Sequence, residues 1–306
     1  MMPQIVLFSI GGLSVSVRSL LMLASLSLFA FAAMHNAKRK GLKPEKTARA
    51  LICGLSGMVL LWKLGYFAAE KNAVKNVLSS GEMSFWGFLG FFAGLRLYCL
   101  KSAKAFKRLF RVTAPAFVPF AAACCLLRDG AAGLPAFLGA LFSYSDAYGL
   151  SHWNAPLLQG TLIFLLLAAA YLLKRFLKKP TFKISALPLM TVALSLIVPF
   201  ELMRDTSYRR WLGIPLEAFT MWITLLALYA ACALKRLKSE QKPTGAFLSV
   251  RLYGLVSILL GGFALRGTHA ILAVLLITLP VLAALSPLDA CLHLKGRRKA
   301  RKRRFS

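Results

Sequence analysis

Charge is scarce in this chain, and acidic charge is scarcest. Only 16% of its 306 residues are charged, against roughly 25% in an ordinary soluble domain. Asp and Glu number 10, while Lys and Arg number 39. Hydrophobic residues make up 58%, and the mean hydropathy is +0.67. That balance excludes a soluble globular protein and a disordered one. Ligand spacing for a metal is missing as well. The six cysteines, Cys53, Cys99, Cys124, Cys125, Cys232 and Cys291, lie in or beside apolar stretches without zinc-ligand intervals, so no metal and no soluble cofactor is expected. Internal repeats and matched Gly/Pro-broken helices are absent, which counts against a transporter. The opening MMPQIVLFSIGGLS has no positive n-region and no small-residue cleavage site. It reads as an outer segment leading into the first span rather than a signal peptide.

What the chain does have is apolar runs of about 20 residues, the length that crosses a bilayer core as a helix. Nine candidate spans follow: 13–34, 48–69, 85–100, 112–127, 156–173, 184–200, 215–233, 248–265 and 270–287, the third and fourth being short. The expected fold is an all-α, polytopic membrane helix bundle. Its connectors alternate in charge. Segments 35–49, 101–111, 174–183, 235–242 and 295–304 carry 28 of the 39 basic residues. The other connectors hold Lys71, Lys75, Arg128, Arg204, Arg209, Arg210 and Arg266. The positive-inside rule then puts the N-terminus outside and the C-terminus in the cytoplasm. The net charge of +29 is a topology signal, its plain role being contact with anionic headgroups. Nucleic-acid binding by the basic tail is disfavoured, since the tail has no aromatic interleaving apart from Phe305. No outer loop holds a cysteine pair, so buried free thiols are expected, with packing favoured over redox chemistry for Cys124 and Cys125.

An ionisable group at membrane depth is costly and marks a functional hypothesis. Arg96 and Arg251 fall near the cytoplasmic ends of their spans, where snorkelling accounts for them. Arg18, Lys63, Arg128, Asp129, Glu201, Arg204 and Glu217 gather instead at the outer boundary of several spans. Their functional reading is a cavity for an anionic lipid headgroup, with Arg18, Lys63, Arg128 and Arg204 as phosphate donors. Their plain reading is interfacial pairing, such as Glu201 with Arg204 three residues on. The set as a whole favours the headgroup site.

In order along roughly residues 6–235, about three quarters of the chain, the sequence resembles bacterial prolipoprotein diacylglyceryl transferase. VLFSIGGLSVSVRSLLML is similar to the family's FSIG segment and first helix. AKRKGLKPEKTARALICGLSGMVLLWKLGYF resembles its basic first loop and second helix, and GEMSFWGFLG its GGMSFHGG element. APAFVPF resembles the start of its signature helix, SHWNAPLLQG its SQLYEALLEG, FELMRD its VEFFR element, and PLEAFTM the opening of its last helix. The resemblance implies transfer of a diacylglyceryl group from phosphatidylglycerol to the thiol of a lipobox cysteine, with glycerol phosphate leaving. Phosphatidylglycerol and a preprolipoprotein segment are the implied partners, and the bacterial inner membrane is the implied location.

The departures fall on the family's functional positions. Its His in GGMSFHGG is Trp86, the following Gly is kept as Gly87, and the next is Phe88. Its first-helix Tyr falls on Arg18, and its second-helix Arg on Lys63. Its Arg-x-Gly-Asn-Phe signature is not recoverable; the Arg falls on Cys125 or Leu126 by register, and Arg128-Asp129-Gly130 is the nearest polar material. A further Arg falls on Ile197, whereas Glu201 and Arg204 are kept. The Tyr and Glu of SQLYE become Asn154 and Ala155. The resemblance thus nominates Glu201 as catalytic, with His152, at the family's Gln position, as the available base. Trp86, Gly87, Asn154 and Glu217 would line the site. An interfacial histidine and an aromatic-belt tryptophan are the plain roles of His152 and Trp86.

Three parts result: a transferase-like membrane domain over 1–235, two added spans over 236–290, and a basic tail over 291–306. Gly261-Gly262 in the added spans reads as a small-residue packing surface, which either docks a membrane partner or closes the bundle. Two functions stay open: a divergent transferase, or a relative without catalysis that binds anionic lipid or scaffolds a membrane partner.

Overall fold

Ser16 ends a hairpin and begins a helix. In the computed structural model, which describes residues 6–10, 13–69, 85–128, 143–145, 151–176, 186–202, 210–211, 213–239, 245–264 and 275–281, strands β1 (Val6–Ile10) and β2 (Leu13–Ser16) pair antiparallel, with Ile10 opposite Leu13. Extended Ser16 accepts the Ser19 N–H at 3.2 Å and caps α1 (Val17–Arg39). The hairpin is why the first helix begins at Val17 rather than at residue 13.

The chain divides into two units, residues 1–169 with 200–221, and residues 170–199 with 222–306. In the first, α1 stops at a glycine. The N–H of Gly41 bonds to the Lys38 carbonyl and that of Leu42 to the Ala37 carbonyl, both at 3.0 Å. Gly41 has φ +67°, the left-handed residue that this C-terminal motif needs. Pro44 then opens α2 (Pro44–Ala69), where its missing N–H costs nothing. The expected basic loop 35–49 is therefore mostly helix, with a turn of a few residues. Segment 101–111 behaves likewise. After α3 (Phe85–Tyr98), Ser102 caps α4 (Ala103–Leu126), so the basic run forms its first two turns. Lys and Arg are good helix formers, so a helix need not stop where apolarity does.

Helices α2 and α3 meet along glycines. Side chains added at Gly57, Gly90 or Gly94 would run into the backbone of the facing helix, and one at Gly54 into the Phe91 ring. Such close approach lets two apolar helices gain dispersion contact without a solvent-driven effect. Beside this seam lies a phenylalanine core. Phe117 of α4 contacts the rings of Phe29, Phe88, Phe91, Phe92 and Phe120, with centroids 4.9–5.7 Å apart. Pro115 has no N–H to offer the Arg111 carbonyl four residues back. Lys40 donates its Nζ to that carbonyl at 3.3 Å, and Asn36 reaches the Val112 carbonyl at 3.5 Å.

Three further helices begin or end in this unit and run into the second: α5 (Ala155–Phe176), α6 (Ala186–Leu202) and α7 (Leu216–Ser239). Short hairpins β3–β4 (Ser143–Ser145, Ser151–Trp153) and β5–β6 (Arg210–Trp211, Ile214–Pro215) precede α5 and α7. Gly213, φ +82°, sits in the second of these turns.

In the second unit α8 (Gly245–Ala264) packs on α7. Trp222 Nε1 donates to the Ile258 carbonyl at 2.9 Å, and the Tyr229 hydroxyl to the Arg251 carbonyl at 3.4 Å. Gly262 makes room for the Trp222 ring and Gly261 for Ile277, as expected of a small-residue packing surface. Helix α9 (275–281) touches α6 through Thr278, which donates to the Ser195 carbonyl at 3.1 Å. Arg251 departs from the snorkelling expectation: it is buried, on the α8 side that meets Tyr229. Arg96 is exposed and donates to the Cys99 and Leu100 carbonyls at 2.8 and 3.4 Å, closing the end of its own helix.

The described residues are predominantly helical, and five helices are long and apolar enough to cross a membrane: α1, α2, α4, α5 and α7. Helices α3, α6 and α8 are shorter. Leucines and phenylalanines such as Leu23, Leu28, Phe31, Ile52, Leu60 and Leu165 stay exposed, while Arg128, Glu201 and Glu217 are buried. Apolar outside with paired charge inside suits a bilayer rather than water.

Candidate functional site

Five helix ends of the first unit converge on a buried arginine. Helix α4 finishes at Leu126, the Leu127 N–H bonds back to the Ala123 carbonyl, and the Arg128 N–H to Cys125. Arg128 is only 8% exposed. Its Nη1 lies 3.3 Å from Glu201 Oε2, in the last turn of α6, and its Nη2 lies 3.5 Å from Glu217 Oε2, in the first turn of α7.

Each acid has a second donor. Gln159 Nε2 donates to Glu201 Oε2 at 3.1 Å. The backbone N–H of Phe85, the first residue of α3, donates to Glu217 Oε1 at 2.5 Å. That N–H is one of the donors a helix start leaves without an internal partner, and a carboxylate there is favoured by the helix dipole. Position follows from local structure. Asn154 Oδ1 accepts the Leu157 N–H at 3.2 Å, capping α5 and placing Gln159 in its second turn. The β5–β6 hairpin leads into α7, and Trp211 packs edge-on against Phe219 at 4.5 Å.

Charges buried this deeply persist only when they are paired and hydrogen-bonded. The cluster supplies a guanidinium fork shared by two carboxylates, an amide and a helix N-terminus. It fixes five helix ends at one level and gives that level a strong local field.

Of the residues nominated by sequence, Arg128, Glu201 and Glu217 are joined directly. Asn154 acts as the cap of α5. Gly87 is a packing position, where an added side chain would stand 3.3 Å from the Trp62 Cβ. Trp86, second in α3, presses its ring on Gly65 of α2, and its buried indole N–H finds no acceptor among the described residues. Lys63 is half-buried, off the α2 stripe of Gly54, Gly57 and Gly65, with its Nζ 4.4 Å from the Trp62 ring centroid. Arg18 is half-buried in the first turn of α1. His152 pairs with Tyr144 across the β3–β4 hairpin, and the position of its ring lies outside the described residues, as does Arg204. Glu201 is held by Arg128, 73 residues away, and its expected pairing with Arg204 lies outside the described residues. Sequence reading missed Gln159 and the Phe85 N–H. The signal for Gln159 was a lone amide in an apolar helix start; a backbone donor leaves none. Among the described residues no group of three His, Cys, Asp or Glu is placed to hold a metal ion.

No protein-family model matches the chain, and no curated protein matches it. The apolar helices are those of a chain compatible with a multi-pass membrane protein.

Proposed function

We propose that this protein is a membrane-embedded diacylglyceryl transferase of the prolipoprotein type, acting on phosphatidylglycerol at the outer leaflet of a bacterial inner membrane. In this reading nine spans cross the bilayer, with the N-terminus outside and the C-terminus inside. The observation that carries it is the joining of Arg128, Glu201 and Glu217, nominated from separate stretches, in one buried cluster at five helix ends. Glu201 lies in the FELMRD element, which supports the resemblance. The reaction moves a diacylglyceryl carbon from phosphate oxygen to cysteine sulfur. The thiol loses its proton to a base, for which His152 is the candidate, and glycerol phosphate departs. Arg18, Lys63 and Arg204 would supply the cationic field for that leaving group, while Arg128 holds Glu201 in place.

One observation favours a second reading, a relative that binds anionic lipid or scaffolds a partner without catalysis. Both terminal nitrogens of Arg128 are directed to carboxylates rather than to a phosphate. The test is an assay on purified protein with phosphatidylglycerol and a lipobox peptide, read by mass spectrometry of the thioether. Product that vanishes in Glu201→Gln and Arg204→Ala variants supports the transferase. Absence of product from folded wild-type protein overturns it in favour of the second reading.

A further inference from the structure

The first unit carries a second charged region at the other ends of its helices. Lys104, Lys107, Arg108 and Arg111 follow one another at intervals of three, one and three along α4, so they share one face over about 10 Å of helix. All four are exposed. Between them Leu109 is buried, and Phe106 and Phe110 are half-buried and packed on one another. The turn between α1 and α2 brings Lys38, Arg39, Lys40 and Lys43, also exposed. The two groups lie far apart in sequence but abut in space, because Lys40 Nζ is bonded to the Arg111 carbonyl and Asn36 to the Val112 carbonyl. Glu45 is the single acid within segments 35–49 and 101–111.

We infer that this face is a docking surface for the phosphates of anionic phospholipids in the leaflet it borders. The apolar parts of α1, α2 and α4 begin where the cations end, which sets the face at headgroup depth. Exposed cations on long side chains, spread over two helix ends, suit several singly charged headgroups rather than one buried ligand. An acidic protein would meet the same charge, but the bordering Leu97 and Leu100 are exposed and apolar, which suits a bilayer interface. The inference rests on the membrane-spanning reading and is independent of the transferase reading.

The test uses full-length protein in mixed micelles of phosphatidylcholine with graded phosphatidylserine, an anionic lipid that is not the proposed substrate. Native mass spectrometry counts the retained phosphatidylserine. Neutralising the face (Lys104→Gln, Lys107→Gln, Arg108→Gln and Arg111→Gln together) is expected to lower its retention about tenfold or more. Neutralising Arg297, Arg298, Arg301 and Arg303 of the tail is expected to leave most of it. Equal losses in the two variants would assign retention to net charge and overturn the inference. Should the face variant fail to insert, the tail variant decides beside the wild type. Preference for phosphatidylserine that falls with rising salt in both the wild type and the tail variant supports the face, and a preference lost with the tail, or no preference at all, overturns it. Transferase activity is measured separately, so the two readings fail independently.

Discussion

Arg128 and Glu201 stand 3.3 Å apart in a buried ion pair, although 73 residues and the whole of α5 separate them in the chain. The pair draws in Gln159 through Glu201, and Glu217 shares the same guanidinium. Its energetics are those of a closed group. Each member is tolerated at depth because the others are there.

Arg128→Met leaves two carboxylates facing one another in a buried site. The expected loss is about 3–5 kcal/mol of stability. Adding Glu201→Gln and Glu217→Gln to the same chain should recover most of it. Thermal unfolding in detergent compares the single and triple variants; a triple variant no more stable than the single would refute mutual compensation.

Gln159→Leu keeps the volume and removes one hydrogen bond to a charged acceptor. We expect a loss of about 1.5–3 kcal/mol, reduced when Glu201→Gln is already present. A double-mutant cycle reads the coupling, and strict additivity would show that the 3.1 Å contact contributes nothing.

Gly90→Val should prevent α2 and α3 from meeting, because its side chain would enter the Gly57 backbone. The expected outcome is failure to recover folded protein. Gly41→Ala, which has open space but φ +67°, should cost only about 1–2 kcal/mol. Equal behaviour of the two in size-exclusion and melting experiments would argue against the glycine seam.

Lys40→Met removes the donor to the Arg111 carbonyl, for about 0.5–1.5 kcal/mol. In a Pro115→Ala background the helix gains its own N–H for that carbonyl, and the Lys40→Met effect should shrink. An undiminished effect would mean that Lys40 acts through something other than this bond.

Phe117→Ala empties the centre of five ring contacts and is expected to cost about 3–5 kcal/mol. Phe31→Ala, on an exposed site of α1, should change the melting temperature little by comparison. The same melting series checks both.

Hydrophobic run length and the alternation of basic segments made the helices legible in advance. The structure has a helix in each of eight expected spans, the fourth of them starting at Ala103 rather than at residue 112, and a seven-residue helix within the ninth. Their basic ends were not legible, since Lys-rich sequence continues a helix as readily as it ends one. The hairpin before α1 was missed for the reason short strands usually are: four or five alternating residues carry little periodic signal.

By itself, then, the sequence determined that this chain is helical and apolar enough to cross a membrane, because backbone hydrogen bonds in a bilayer leave few alternatives and the required length is fixed by the hydrocarbon thickness. It also nominated Arg128, Glu201 and Glu217, since charges at membrane depth are conspicuous. Only the tertiary structure decided which charge meets which. Arg128 reaches Glu201 from another helix end, across 73 residues of sequence that announce no such pairing. A buried carboxylate is satisfied by whatever donor the packing of helices brings within about 3 Å. Elsewhere in the first unit, glycines 54, 57, 90 and 94 and a cluster of phenylalanines set which helices meet, and no local pattern in the chain announces those pairings either.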